Sequence, residues 1–580
     1  MPTLNWIGKD KVVNHHLDVP FRTLEKQYTF APNGGDDDGN MIIHGDNLDA
    51  LKALLPMYEG RVKCIYIDPP YNTGNEKWVY NDNVNDPHIK AWLGKVVGAE
   101  GEDLSRHDKW LCMMYPRLKL LQKLMAEDGV IFISIDDNEL YHLKIVCDEI
   151  FGQSCFVGNI SWQRTYSMRN DSKGLPAEIE HILVFSKMPA WIPGKLARTE
   201  KMDSLYKNVD NDPRGAWRNT TPYAPGAATH QGMVYAIQHP FTGEFLYPAN
   251  GSCWRYQQEQ MLEYMNGWCK YELKNLHDEN KRAEVCGVSI PSVKENVLGI
   301  VLTDSVEISK THARKVYQRG NWPRYFFTRN GMGGLGRKTY LENLEGKPAT
   351  NLWGHIDTGH TDEAAKILKA IFGGKTTFDT PKPPRLIERI LQIASNPNSI
   401  ILDSFAGSGT TAHAVLNMNK QDGGNRKFIL VEMGDYAESI TAERVRRVIN
   451  GYGEGNKAVE GTGGGFSFYE LGEALLINGM LNPNAAEEKI RAYVYYTETR
   501  CALPAASENE KHLLGVHENH AYYFYYEADR MTTLNRTFLQ TIQTRAEGYL
   551  IYADSNTLSA EDMARFHITF KKIPRDIAAL

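Results

Sequence analysis

The sequence predicts an α/β protein: a doubly wound, mostly parallel sheet, interrupted by an inserted domain and followed by a small C-terminal α/β domain. Three observations predict this. Over residues 41–150, β-forming runs alternate with helical periodicity, giving strand, helix, strand, helix, strand, helix. Around residue 400 a second strand runs into a glycine turn and a helix. Between the two, residues 158–354 lose the rhythm and are rich in Trp, Tyr, Asn, Pro and Gly.

Residues 1–40 read as a polar, irregular extension that closes on the solvated loop Asn33-Gly34-Gly35-Asp36-Asp37-Asp38-Gly39-Asn40. A catalytic half of the main domain is expected over 41–157. It opens on a short strand at 41–44, then Gly45-Asp46-Asn47 turns into a helix with Leu48, Leu51, Leu54 and Leu55 on one face. Asp46 has two readings: a helix cap, or a carboxylate at a strand end that touches a cofactor. The next strand, 62–67, is a continuous β-forming run that stops at Asp68-Pro69-Pro70-Tyr71. Neither proline can continue the ladder, because each lacks an N–H donor. Asp68 and Tyr71 therefore leave the sheet on a stiff turn at the carboxyl end of a strand, where open α/β sheets bind ligands. Residues 72–109 make a long polar excursion, read as a substrate-covering or DNA-contacting loop. A helix at 110–125, a strand at 130–135 and a helix at 139–150 complete this half.

The turn suits one chemistry. An exocyclic amino group on a base is a poor nucleophile, because its lone pair is delocalised into the ring. The Asp68 carboxylate and the Pro69 carbonyl can each accept one amino hydrogen, drawing the nitrogen toward tetrahedral geometry. Tyr71 can stack on the flat base. The alternative is an ordinary strand exit with a Pro-Pro stop.

Residues 158–354 carry Trp162, Trp191, Trp217, Trp254, Trp268, Trp322 and Trp353 among Arg164, Arg169, Lys173, Arg198, Lys201, Lys207, Arg214 and Arg218. Basic side chains interleaved with aromatics suit phosphate contacts with base stacking or edge reading. A plain inserted domain with an aromatic core is the competing reading. Gly331-Met332-Gly333-Gly334-Leu335-Gly336-Arg337-Lys338-Thr339 nearly spells a phosphate loop, but Arg337 stands where its lysine belongs. It reads instead as a flexible basic loop facing DNA through Arg337 and Lys338.

The second half of the main domain is expected over 355–450. Helices at 362–371 and 385–394 flank the rigid turn Asp379-Thr380-Pro381-Lys382-Pro383-Pro384. The strand 400–402 delivers Asp403-Ser404-Phe405-Ala406-Gly407-Ser408-Gly409, which opens the next helix. Gly407 and Gly409 let the backbone approach a ligand closely. No basic residue lines the turn, and an acid before the glycines suits a cationic amino acid moiety better than a diphosphate. The next strand ends at Glu432, an acid placed to accept ribose hydroxyls. A methionine-linked adenosine fits: amino acid at Asp403, adenine near Phe405, ribose at Glu432. Another small-molecule α/β pocket remains the alternative. Residues 451–465 read as a glycine-rich linker, and 466–580 as the small α/β domain, with strands at 492–496, 522–526, 549–552 and 567–570 and a helix at 532–545.

At 580 residues the chain is too long for one core. Its formal charge of -6 gives no global signature of a nucleic-acid binder, so positive surface must be local. The eight cysteines show neither a Cys-x-x-Cys pair nor zinc-ligand spacing, and no metal is expected. No apolar stretch is long enough to span a membrane, and no basic-then-apolar leader opens the chain, so a cytoplasmic location is expected.

The two motifs in this order resemble the beta-class amino methyltransferases, in which the catalytic half comes first, recognition second and the cofactor loop last. More closely, the chain resembles the modification subunit of type III restriction-modification systems. The segments that carry this are Trp6-Ile7-Gly8-Lys9-Asp10-Lys11, Asp212-Pro213-Arg214-Gly215-Ala216-Trp217-Arg218, Gly359-His360-Thr361-Asp362-Glu363-Ala364 and Phe570-Lys571-Lys572-Ile573-Pro574-Arg575. The family usually has proline where Ser404 stands.

The resemblance implies the S-adenosylmethionine-dependent methyltransferase fold with circularly permuted motif order. It implies that Asp68, Pro69, Pro70 and Tyr71 are catalytic, and that Asp403, Phe405, Gly407, Gly409 and Glu432 bind S-adenosyl-L-methionine. Asp46 would lie near the cofactor adenine, and Lys382 and Pro383 would close over its methionine part. The expected reaction is methylation of adenine N6 at a specific sequence in double-stranded DNA, with base flipping. The expected assembly is a homodimer with a helicase-nuclease restriction subunit. Stand-alone adenine or cytosine-N4 methylation, RNA methylation and an inactive DNA-binding scaffold are the rivals.

Overall fold

The computed structural model describes residues 3–32, 38–72, 102–166, 175–477 and 479–575, with the backbone alone for 102–105. Contacts divide the chain into one unit made of Met1–Gly194 and Pro348–Leu580, and a second made of Lys195–Lys347.

The first unit is organised on a ten-stranded sheet. In chain order its elements are β1 (Arg22–Phe30), β2 (Met41–His44), α1 (Asn47–Tyr58), β3 (Val62–Ile67), α2 (Glu102–Leu124), β4 (Met125–Ile135), α3 (Leu140–Phe151), β5 (Phe156–Gln163) and β6 (Ile179–Ser186). After the second unit come β7 (Leu352–Trp353), α4 (Pro384–Ala394), β8 (Ile400–Asp403), α5 (Thr410–Asp422), β9 (Lys427–Glu432), α6 (Glu443–Asn450) and β10 (Phe466–Ala474). Across the sheet the order is β1-β10-β2-β9-β8-β3-β4-β6-β5-β7. From β10 to β4 every neighbouring pair runs parallel, and β6 lies antiparallel to both β4 and β5.

Strands buried on both faces read as unbroken apolar runs. Cys64, Ile65 and Ile67 of β3, Ile401 and Leu402 of β8, and Leu430 and Val431 of β9 are all buried to 1 % exposure or less. The decisive pairing is β8 beside β3, with Leu402 opposite Ile65 and Ile401 opposite Cys64. From β3 the chain moves outward to β4; from β8 it moves the other way to β9. The two carboxyl ends therefore open a crevice at the point where the winding reverses.

Three expected boundaries move. The main sheet does not end at residue 157: β5 and β6 extend it, and the inserted unit begins at Lys195. Residues 1–40 are not irregular throughout, because β1 pairs antiparallel with β10 along the sheet edge. The last domain does not start at 466, because β10 lies between β1 and β2. Alternation that is half polar, as in Arg22–Phe30, fits an edge strand as well as it fits a loop. The expected linker holds a two-residue antiparallel pair, Gly451–Tyr452 with Val459–Glu460.

One expected element near the C-terminus changes type and another shortens. Residues 492–496 belong to the helix Glu487–Thr499, which buries Ile490 and Val494 four residues apart and carries Glu487 and Glu488 in its first turn. The expected helix at 532–545 contracts to Arg536–Leu539, because Asn535 caps it by accepting from Phe538 N at 2.9 Å. A four-stranded sheet of Leu513–His517, His520–Phe524, Gly548–Ala553 and Ile568–Lys572 follows.

The second unit packs its own aromatic core. Trp217, Trp254, Trp268, Tyr325 and Phe327 are buried within it, so these aromatics hold the fold and do not present a stacking surface. Lys338 corrects an expectation. It lies in a strand, Leu335–Tyr340, and not in a flexible loop. Its fully buried ammonium donates to Asp212 at 2.6 Å, to Asp210 at 2.5 Å and to the Trp322 carbonyl at 2.7 Å. It is a core ion triad and cannot reach DNA. Lys338→Ala strands two buried carboxylates and is expected to destabilise this unit by about 3–5 kcal/mol. Urea unfolding followed by tryptophan fluorescence measures this; a loss below about 1 kcal/mol would refute the assignment.

Candidate active site

The turn after β3 and the glycine turn after β8 line one cleft of about 570 Å³, within the usual range of small-molecule sites. Asp68, Pro69, Pro70 and Tyr71 line one side; Asp403, Phe405, Ala406, Gly407 and Glu432 line the other; Arg164, Glu180, Thr361, Phe378, Lys382 and Tyr436 close it.

On the first side, Trp110 Nε1 donates to the Pro70 carbonyl at 2.7 Å and pins the turn to α2. Of the two proline carbonyls, it is thus Pro70's that is committed to the scaffold. Asp68 is partly exposed; its Oδ1 accepts from the Tyr71 hydroxyl at 2.7 Å and its Oδ2 from Lys382 Nζ at 2.6 Å. Lys382 also donates to the Tyr71 oxygen at 2.9 Å and lies 3.5 Å from Glu180, which Arg164 engages at 2.7 Å. Two carboxylates and two cations thus alternate in a neutral network. Burial pulls the Lys382 ammonium down, but Asp68 and Glu180 outweigh it and the net shift is up. Burial alone would raise the Glu180 carboxyl; Lys382 and then Arg164 reverse this and hold it below the usual range. Burial, then the charges of Asp68 and Glu180, push the Tyr71 hydroxyl far up, so it stays a neutral phenol.

On the second side, Gly407 and Gly409 adopt φ of +52° and +80°, which L side chains rarely do. A Cβ on Gly407 would meet the Phe378 ring at 3.2 Å. Asp403 accepts from Phe405 N at 3.0 Å and Thr411 Oγ1 at 2.5 Å, and burial pushes its carboxyl up to about 7. Glu432 accepts from Gly407 N at 2.7 Å and Gly434 N at 2.8 Å, tying the strand end of β9 to the glycine turn. Burial raises its carboxyl too. The basic side chains lining the cleft among the described residues, Arg164 and Lys382, are engaged on Asp68 and Glu180. The second side is therefore acidic and suits a cationic moiety joined to a nucleoside; a diphosphate would meet no basic side chain there.

Sequence reasoning missed the support beneath this turn. Thr441 Oγ1 donates to the Gly407 carbonyl at 2.6 Å. The buried Arg444 of α6 donates to Ser408 Oγ and Thr410 Oγ1, each at 2.8 Å. One arginine of three in an amphipathic helix gave no signal. Glu180 did: it is a buried acid at the start of β6, next to the apolar run 182–185.

Other expected residues land elsewhere. Asp46 caps α1, accepting from Leu48 N at 2.8 Å, and pairs with Arg117 at 3.1 Å. It is not among the residues lining the cleft; its neighbour Asn47 braces the Ser404 carbonyl at 2.9 Å from behind. Pro383 stands at the N-cap of α4, one residue beyond the lining. Lys382 reaches the Asp68 carboxylate, while its own carbonyl accepts from Thr410 Oγ1 at 3.2 Å. Arg169 and Lys173 lie outside the described residues. In the second unit, Arg218 is exposed, Arg214 pairs with Glu342 at 2.8 Å, and Arg337 is half-buried, its charge depressed first by burial and then by Arg255.

A family model for DNA methylases matches residues 62–443. That span contains both turns and every residue lining the cleft.

The chain belongs to the DNA methylase family.

Among curated proteins, this DNA methylase is 33% identical over 402 residues to the type III restriction-modification enzyme StyLTI Mod subunit of Salmonella typhimurium, covering 67% of this chain and 52% of that protein. It is 29% identical over 466 residues to the EcoPI Mod subunit of Escherichia phage P1, covering 74% and 63%. It is 30% identical over 403 residues to the type II methyltransferase M.KpnI of Klebsiella pneumoniae, covering 68% and 81%. The methylase thus spans between half and two thirds of the length of these type III subunits. Among the described residues, no helix is long and apolar enough to cross a membrane.

Proposed function

We propose that this DNA methylase transfers a methyl group from S-adenosyl-L-methionine to adenine N6 at a specific sequence in double-stranded DNA. The observation that carries the reading is the single cleft shared by the Asp68 turn and the Gly407 turn. Asp403, Phe405, Glu432 and the glycine backbone would hold S-adenosyl-L-methionine, which would supply an electrophilic methyl group and be left as the thioether when its sulfur–methyl bond breaks. The chain's own residues do the rest. The target base leaves the duplex to reach the cleft. Its amino group displaces Lys382 from Asp68, and Asp68 with the Pro69 carbonyl accepts the two amino hydrogens. The nitrogen lone pair is thereby freed, and holding it in line supplies much of the rate. Asp68 takes up the proton the nitrogen sheds. Tyr71, kept neutral, packs on the base.

The inserted unit Lys195–Lys347 is the recognition domain in this reading. Its exposed Arg218, with Arg337, Arg255 and Arg324 near one another, supplies local positive surface on a net acidic chain. Relatives named as Mod subunits of type III restriction-modification enzymes support a role as the modification subunit; recognition, a homodimer, a helicase-nuclease partner and a cytoplasmic location belong to the same proposal. A second reading, a stand-alone methyltransferase, is favoured by the 81% of M.KpnI that the match covers.

The test is mass spectrometry of nucleosides from duplex DNA incubated with the chain and methyl-labelled cofactor. N6-methyladenine is expected. N4-methylcytosine would overturn the adenine assignment, and no labelled nucleoside would overturn the activity.

A further inference from the structure

Behind the catalytic turn, outside the cleft lining, two imidazoles converge on one carboxylate. His107 comes from α2, Glu139 stands immediately before α3, and His142 lies in its first turn. His107 Nδ1 is 2.5 Å from Glu139 Oε1, and His142 Nδ1 is 2.8 Å from Glu139 Oε2. We propose that His107, Glu139 and His142 form a binding site for a divalent cation of the zinc class.

The donor set is the first argument. Two imidazole nitrogens and one carboxylate oxygen are the three-ligand set of zinc sites that keep a fourth position open. The ligand atoms already lie within 4.8 Å of one another. Ligand distances of about 2.0–2.1 Å place tetrahedral donors about 3.3 Å apart, so a cation enters if the contacts at 2.5 and 2.8 Å open by about 0.8 and about 0.5 Å while the widest donor pair closes by up to about 1.5 Å.

Charge is the second argument. The Glu139 side chain is fully buried, and among the described residues no lysine or arginine pairs with it. A buried carboxylate without a cation is costly. An imidazole supplies that charge only when protonated, whereas a bound divalent cation supplies it while both imidazoles are neutral.

Access is the third. The His107 and His142 side chains are 27% and 36% exposed, so the buried acid is reached from solvent past two imidazoles. The site also adjoins the turn. Asn72, the residue after Tyr71, adopts φ of +57° and donates its amide to Glu139 Oε1. A cation here would brace the exit of the catalytic turn without entering the cleft.

Metal-free full-length chain should be titrated with zinc chloride in competition with a chromophoric chelator. One zinc ion per chain is expected, and His107→Gln, Glu139→Gln and His142→Gln should each weaken binding at least about tenfold. Uptake by the wild type no greater than that of the His107→Gln/His142→Gln double variant would overturn the proposal. Should the variants not fold, the wild type decides: cobalt(II) should give the intense visible bands of a four-coordinate nitrogen–oxygen site. The weak spectrum of six-coordinate aqueous cobalt would refute it. Neither readout depends on methyl transfer.

Discussion

Asp68→Ala is expected to lower methyl transfer about 10³-fold while cofactor affinity stays within about threefold of wild type. The size follows from what the carboxylate does. In the proposed mechanism it holds one amino hydrogen, draws the nitrogen out of conjugation and takes the departing proton, all of which matter only as the bond forms. The selectivity follows from geometry. Asp68 lies on the β3 side of the cleft and touches Tyr71 and Lys382, whereas Asp403, Gly407 and Glu432 are held by their own turn and by β9. The fold should survive, because Lys382 retains Glu180 at 3.5 Å as a counter-charge. Single-turnover incorporation of labelled methyl, beside calorimetry of cofactor binding, separates the two effects. A variant that methylates DNA at the wild-type rate would remove Asp68 from the mechanism; one that no longer binds cofactor would place it on the wrong side of the cleft.

Much of this site was legible in the chain because its chemistry lies at strand ends. A buried parallel strand writes itself as an apolar run, and the residue that stops the run is the one presented to the crevice. That is why Asp68, Asp403 and Glu432 could be read from three runs far apart, and why their meeting in one cleft was the single spatial inference needed. What stayed hidden depends on neighbours brought by topology. Glu180 arrives on an antiparallel strand that sequence rhythm assigned to the insert. Arg444 acts from beneath the glycine turn, and Lys338 is a buried triad in a segment whose composition imitates a flexible basic loop. The edge strand β1 and its neighbour β10 pair residues more than 400 positions apart, and no local pattern announces such a partner.

Lys382 carries the remaining large effect. Among the described residues it alone bridges Asp68 and Glu180, whose oxygens meet the same Tyr71 hydroxyl at 2.7 and 3.2 Å. In Lys382→Met, two neighbouring carboxylates keep their burial but lose the shared cation. Both effects favour the protonated form, so the pair retains one proton to higher pH. The acid limb of kcat should therefore move upward by about 1–2 pH units, the slowing deepening as pH falls and relaxing as it rises. Stability follows the same signs. Glu180 is lowered in the folded chain, so its contribution is present above the unfolded carboxylate value near 4.3 and is lost as pH falls through the lower folded value. Lys382 is raised, so its contribution is lost only as pH rises through its folded value, above the assay range. The variant should accordingly be less stable by about 3 kcal/mol at pH 7 and by progressively less toward pH 3. Lys382→Arg keeps the charge and should restore the acid limb even where its bulkier head slows turnover. An unmoved acid limb in Lys382→Met would mean that Lys382 does not set the charge state of the carboxylate pair.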